Sequence, residues 1–178
     1  MNDHVAAWLN ALEPAEAADQ FRRLCGAEAW ITRMVDARPF ADDAAVAHVA
    51  DHAFDALPPD AWLDAFACHP RIGDLDSLRM KFAGNDTWSS GEQAGAAASD
   101  EQTLQRLADG NEAYLARFGY IFIVCATGKS AAEMLGLLEA RLSNSVEAEL
   151  PVAAAEQRKI TQLRVQKLIA AGAPEEKP

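Results

Sequence analysis

Apolar residues recur at intervals of three and four along most of this chain, and that spacing is typical of amphipathic helices. In the first third of the sequence the pattern predicts helices over residues 14–25, 27–37 and 43–57. Pro58 and Pro59 end the third of these helices, because proline removes a backbone donor and clashes with the preceding turn. A short helix over 62–66 then runs towards His69, where Pro70 disfavours further helical backbone.

Loop-forming residues interrupt the middle of the chain. Residues 73–91 form the longest irregular stretch, with some helix expected around 75–82. Helical spacing returns over 92–117, where Gly110-Asn111 is expected to bend or weaken the helix. The pattern then predicts a helix from the capping-box sequence at Ser130 and a last one that ends at Ala171, before Gly172.

One stretch departs from helical spacing. Residues 120–125 are the strongly strand-like run, and β-branched residues are otherwise sparse in an alanine-rich chain. A single strand cannot form a sheet, so we expect an extended, buried segment near 120–126 that threads between helices. The predicted fold is therefore all-α, a single-domain helical bundle over residues 1–172 with a frayed tail at 173–178.

The charge of the chain limits the classes of partner. The sequence holds 27 acidic and 16 basic residues, giving a formal net charge of -11. Such a surface repels nucleic acid and anionic membranes, so neither is an expected partner. The sequence has no apolar run long enough to span a membrane and no signal-peptide pattern, which makes the cytoplasm the expected compartment. An anionic ligand would need local basic groups.

Cysteine and histidine give little indication of metal or disulfide chemistry. Three cysteines with apolar neighbours argue against a disulfide framework. Cys68 adjoins His69, but consecutive helical residues do not face each other, so a buried thiol is favoured over a nucleophile. His48 and His52 have i, i+4 spacing without a third ligand. A solvated helix face is the better interpretation, and no metal site is predicted.

Three residues are candidates for chemistry on local grounds. His69 falls at the C-terminal end of a predicted helix, which favours an imidazolium, although a lone histidine is more often structural. Glu92 follows Ser89-Ser90-Gly91 and either caps a helix or orients a ligand. Arg164 projects partly inward beside the apolar stripe of Ile160, Leu163, Leu168 and Ile169, and needs either an anionic ligand or an acidic partner. Arg141 and Asn144 are interpreted as structural braces.

Five motifs in order make the sequence resemble the 2-oxo-4-hydroxy-4-carboxy-5-ureidoimidazoline (OHCU) decarboxylase family. They are HPRIG (69–73), SSGEQ (89–93), FGYIFIVCATGKS (118–130), RLSN (141–144) and KITQLR (159–164). The resemblance extends over about residues 8–170, with a spacing from His69 to Glu92 that is a few residues longer than in the family. It implies a helical, cofactor-free and commonly dimeric enzyme of urate breakdown.

The resemblance also implies roles for individual residues. His69, Glu92 and Arg164 match catalytic positions. The implied substrate-binding residues are Pro70, Ser89, Ser90, Gly91, Gln93 and the backbone of Phe122, Ile123, Val124, Cys125 and Ala126.

The implied reaction suits these residue types. The substrate carries a carboxylate and a hydroxyl on one ring carbon beside a C=N bond, which accepts the electron pair when CO₂ leaves. No organic cofactor is then required, and protonation of one face gives (S)-allantoin. Two alternatives stay open: a non-catalytic helical binding module of the same fold, and a decarboxylase or hydrolase of a related ureido acid.

Overall fold

The prediction of an all-α fold is confirmed. The computed structural model describes residues 4–71, 75–82 and 93–174, with side chains described from residue 100 onward in the last range. These residues hold α1 (His4–Ala11), α2 (Pro14–Leu24), α3 (Glu28–Asp36), α4 (Asp43–Asp55), α5 (Pro59–Ala67), α6 (Leu75–Phe82), α7 (Gln93–Phe118), α8 (Ala131–Leu142) and α9 (Val146–Ala171), and they hold no strand. None of the described helices is long and apolar enough to cross a membrane.

The helix boundaries largely follow the capping and helix-terminating residues of the sequence. Asp42 caps α4 by accepting a bond from the Ala45 amide at 2.7 Å, and Ser130 with Glu133 forms a reciprocal capping box at α8. Gly172 ends α9 with a φ of 79°, a left-handed conformation that glycine adopts without steric cost. Helix α1 was not predicted, because its eight residues begin in a polar stretch without a clear start signal.

The described chain divides into two compact units. The first comprises residues up to His69 and those from Ala154 onward. Its core is formed by helices α1 to α5 and the second part of α9, around the fully buried Phe21 and Trp30, whose rings meet edge to face. The Arg38 guanidinium donates to the carbonyls of Leu9 and Leu12, tying the end of α1 to the loop before α4.

The second unit comprises Pro70–Ala153 and is built around the packing of α7 on α8. Its core includes Leu107, Tyr114 and Leu138. A Cβ atom at Gly110 would lie 2.7 Å from the Leu138 side chain. Gly110 therefore permits close helix packing, and α7 runs unbroken through the site where a bend was expected. The prediction of one domain over 1–172 stays a prediction.

The inward face of α9 differs from the predicted one. The apolar residues expected to line it, Ile160, Leu163, Leu168 and Ile169, are only partly buried. From Ala153 onward, the buried positions of α9 are instead Ala153, Ala154, Gln157, Thr161 and Val165. The size of the apolar side chains did not predict the buried face, because small residues let the neighbouring helices approach closely. The two polar side chains on this face, Gln157 and Thr161, can be buried because they form hydrogen bonds.

Candidate active site

His69 lies where the sequence placed it, just beyond a helix end. Helix α5 ends at Ala67, Cys68 is its C-cap, and the His69 amide donates to the Phe66 carbonyl at 3.1 Å. The imidazole is half-buried and the next residue, Pro70, is exposed. This backbone turn fixes the position of a titratable side chain at the end of the first of the two segments that form the first unit.

The imidazole contacts a buried amide. His69 Nε2 lies 2.7 Å from Gln157 Oε1, and Gln157 is 1% exposed. Gln157 Nε2 in turn donates to Thr161 Oγ1 at 3.3 Å, one turn further along α9. Sequence reasoning missed both residues. Their spacing could have indicated them, because 157, 161 and 164 at intervals of four and three share a helix face with Arg164.

The surroundings of His69 favour its neutral form. Burial lowers the pKa of the imidazole below its usual value, the Gln157 hydrogen bond opposes that shift, and the positive charge of Arg164 adds to it. The lowered pKa is opposite to the sequence-based expectation, in which the helix end favours the imidazolium. Desolvation and a nearby cation outweigh the weak field of a helix C-terminus, which falls off within one turn.

Arg164 lies partly inward, as predicted, and near enough to His69 to affect its pKa. Its Nη1 donates to the Leu24 carbonyl at 3.0 Å. Among the residues with described side chains, no Asp or Glu forms an ion pair with it. Its charge is therefore not neutralised within the described part of the chain, which favours the anionic-ligand interpretation over the buried ion pair.

The cysteines near this region differ from expectation in one respect. Cys68 is exposed rather than buried, because it follows the last turn of α5, and its Sγ lies 3.7 Å from the Gly26 carbonyl oxygen. Cys25 is buried, and that burial raises the pKa of its thiol. A neutral thiol is a weak nucleophile, so Cys25 is not suited to covalent catalysis.

Several predicted site residues cannot be placed. Ser89, Ser90, Gly91 and Glu92 lie outside the described residues, and so does the side chain of Gln93, the first residue of α7.

Within the described chain, no group of three His, Cys, Asp or Glu side chains could hold a metal ion. The rings of His48 and His52 contact each other on an exposed face, with centroids 4.3 Å apart.

The segment 120–126 belongs to the second unit and lacks secondary structure, as expected. Ile123 and Cys125 are buried and alternate with partly buried neighbours, which is the period of extended backbone. Arg141 Nη1 donates to the Ile123 carbonyl at 2.6 Å, and Lys129 Nζ donates to the Cys125 carbonyl at 2.9 Å. Two long basic side chains thus fix the backbone of this segment.

Arg141 belongs to a buried polar cluster that the sequence only partly indicated. It lies 2.5 Å from the carboxylate of Glu149, which is 0% exposed and also accepts bonds from Asn144 at 2.6 Å and from the Tyr114 hydroxyl. Burial, then the bond to Glu149, raises the pKa of Tyr114 far above its usual value. The predicted bracing role of Arg141 and Asn144 agrees with these contacts. Glu149 was missed because a carboxylate at position four of a helix is ordinarily exposed.

Comparison with known proteins defines the class. A family model described as OHCU decarboxylase matches residues 10–166. The chain therefore belongs to the OHCU decarboxylase family. A solved structure described as OHCU decarboxylase in the presence of (S)-allantoin has a TM-score of 0.67 and 33% sequence identity, over 85% of this chain and 98% of that one.

Two curated relatives show the same relationship. The chain is similar to the uric acid degradation bifunctional protein TTL of Arabidopsis thaliana, with 38% identity over 153 residues. The match covers 84% of this chain but only 46% of the plant protein. It is also similar to the 2-oxo-4-hydroxy-4-carboxy-5-ureidoimidazoline decarboxylase of Amia calva, with 33% identity over 74% of this chain and 75% of that protein.

Proposed function

We propose that this protein is a carboxy-lyase that converts OHCU to (S)-allantoin in the breakdown of urate, a purine. The family membership supports the reaction class. The observation that carries the proposal is the presence of His69 and Arg164 in one unit. The imidazole pKa is lowered there, and the nearby cation has no acidic partner among the described side chains. Accelerated formation of optically active allantoin from OHCU tests it.

The proposed mechanism distributes the reaction over three side chains. Arg164 offers a planar fork of N–H donors, which suits an oxygen-rich anion, and its charge supplies attraction that the net charge of -11 opposes. His69 and Glu92, the second by the family resemblance, act on the hydroxyl and carboxylate of the substrate. The bond from the ring carbon to the carboxylate breaks and CO₂ leaves. Its electron pair forms a C=C bond to the neighbouring carbon, and the C=N electron pair moves to the nitrogen, which takes up a proton. The neighbouring carbon is then protonated on one face, while the hydroxyl group loses its proton and becomes the carbonyl of allantoin.

The remaining predicted residues bind the substrate in this proposal. The backbone of residues 122–126 and the side chain of Gln93 offer donors and acceptors for the amide and ureido groups. The family resemblance assigns Pro70, Ser89, Ser90 and Gly91 to substrate binding as well. A homodimer is part of the proposal on the resemblance alone, and light scattering during size-exclusion chromatography measures the oligomeric state directly. The cytoplasm remains the compartment that the sequence patterns predict.

Replacing Arg164 should impair substrate use more than stability. Arg164→Lys keeps the charge and loses the fork, so we expect a clear loss of kcat/KM; Arg164→Gln loses both and should be worse. Thermal stability should change little, because the substitution removes one hydrogen bond within the described structure, from Arg164 Nη1 to the Leu24 carbonyl. Steady-state kinetics and thermal melts measure the two effects.

Arg158→Gln is the matched control for Arg164. Arg158 lies on the same helix and pairs with Asp55 at 2.7 Å on a partly exposed face, so kcat/KM should stay close to wild type. A large loss of stability in the Arg164 variants, with kcat/KM preserved in the folded fraction, would instead make Arg164 a structural residue.

Exhaustive chelation should leave activity unchanged. The substrate contains its own electron acceptor, the C=N bond, so the proposed reaction needs neither a metal nor an organic cofactor. The measurement compares kcat before and after dialysis against a strong chelator, with the chelator then removed. Activity that vanishes on chelation and returns with zinc or manganese would overturn this part of the proposal.

A further inference from the structure

The buried amide beside His69 has an orientation that can be deduced from its other partner. Thr161 is 2% exposed, and its hydroxyl donates to the Gln157 backbone carbonyl at 3.1 Å. A hydroxyl has one hydrogen, so Thr161 Oγ1 must act as the acceptor in its other bond. The group 3.3 Å away on Gln157 is therefore the NH₂ of the amide, and the amide oxygen points at His69.

The orientation of the amide determines which imidazole nitrogen carries the hydrogen. A carboxamide oxygen accepts hydrogen bonds and cannot donate them. With Gln157 Oε1 at 2.7 Å, His69 Nε2 must carry a hydrogen, and in the neutral ring Nδ1 then carries the lone pair. The ring nitrogen that exchanges protons with a substrate is then Nδ1.

We propose that Gln157, oriented by Thr161, is a positioning residue that holds His69 in the Nε2–H tautomer and leaves Nδ1 as the acid–base atom. This inference rests on the proposed function for its catalytic meaning. The tautomer itself can be measured without substrate. Gln157 lies outside the five family motifs, and Thr161 lies within KITQLR (159–164) without having been assigned a role.

An amide is a suitable partner for this purpose because it is neutral. A carboxylate at the same place would stabilise the imidazolium and hold the ring in its charged form. The amide fixes the direction of the ring without adding a negative charge, and the pKa of His69 stays below its usual value because of burial and the charge of Arg164. Two thiols also lie on this side: Cys25, which contacts Thr161 and is affected by the Arg164 charge, and Cys68, which interacts with Cys25.

Nitrogen-15 NMR of labelled histidine in the substrate-free protein tests the tautomer directly, at a pH above the His69 transition. We expect the Nε2–H form to predominate in the wild type. Thr161→Val removes the hydroxyl at nearly constant volume and should allow the amide to turn over, giving a mixture of tautomers. Thr161→Ser keeps the hydroxyl and should restore the wild-type pattern. A predominant Nδ1–H form in the wild type would overturn the proposal.

Gln162→Leu is the matched control on the same helix. The Gln162 amide donates to Asp51 at 2.7 Å rather than to His69, so its loss should leave the tautomer unchanged. If Gln157→Leu folds and shows the wild-type tautomer, Gln157 does not position the ring. If Gln157→Leu does not fold, the comparison of Thr161→Val with Thr161→Ser decides alone.

The pH profile of kcat/KM supplies a second readout that a purely structural role would not change. Gln157→Glu places a carboxylate beside Nε2, which should raise the pKa of His69 and move the acidic limb to higher pH. The hydrogen bond from Gln157 raises the pKa of His69, so its loss in Gln157→Leu should lower that pKa and move the acidic limb of the profile to lower pH. In this variant kcat should fall about tenfold or more, and KM should change little. If the acidic limb of the pH profile stays at the wild-type pH in both variants, the proposal is overturned. If the protein shows the Nε2–H tautomer but does not act on OHCU, only the proposed function is overturned.

Discussion

His69→Ala and His69→Asn should lose most of the decarboxylase activity while the protein stays folded. Removal of a general acid–base group typically lowers the rate about 10²–10⁴-fold. The imidazole is only half-buried, and its side-chain bond in the described structure is the one to Gln157, so the fold should tolerate the change. Steady-state kinetics on freshly generated OHCU, with circular dichroism melts of each variant, measures both properties.

His52→Ala is the control for the histidine variants. His52 lies on α4 in the same unit, exposed and with its ring edge to face with that of His48, so the change should leave kcat and the melting temperature close to wild type. Near-normal turnover in either His69 variant would remove this residue from the mechanism.

Glu149→Leu should destabilise the protein strongly. The substitution leaves the Arg141 guanidinium, itself 8% exposed, buried without its carboxylate. Breaking one side of a buried ion pair typically costs about 3–5 kcal/mol. For a chain of this size that corresponds to a fall in melting temperature of roughly 6–20 °C. Denaturant titration and thermal melts measure the change.

Two further variants separate a buried ion pair from an ordinary one. Glu139→Leu breaks the exposed pair with Arg106 in the same unit, which should cost about 0–1 kcal/mol. The double variant Arg141→Leu with Glu149→Leu should recover part of the loss, because an apolar pair leaves no unpaired buried charge. Equal losses for Glu149→Leu and Glu139→Leu would contradict the buried-pair interpretation.

The sequence predicted most of the helices because their start and stop signals are local. The capping box at Ser130, the acidic cap before α4 and the glycine after Ala171 act within one or two turns, so each could be recognised from a few neighbouring residues. Gly110 was misjudged for the opposite reason. Its role depends on Leu138 of another helix, and no local pattern reveals that contact.

The same distinction applies to the candidate site. The sequence located His69 and Arg164 through motifs and helix periodicity, but it missed Gln157 and Thr161, whose importance depends on the packing of α9 near the end of α5. It also gave the wrong direction for the pKa of His69. The helix-end effect can be deduced from the sequence, whereas burial and the proximity of Arg164 exist only in the folded chain.

The most direct test of the central claim is the fate of OHCU itself. The unstable intermediate is generated in situ from urate, and circular dichroism follows the appearance of allantoin with and without the protein, with His69→Ala as the inactive comparison. We predict accelerated formation of one optically active product, (S)-allantoin, by the wild type and a rate near the spontaneous one with His69→Ala. Racemic allantoin formed at the spontaneous rate in the presence of folded wild-type protein would contradict the account.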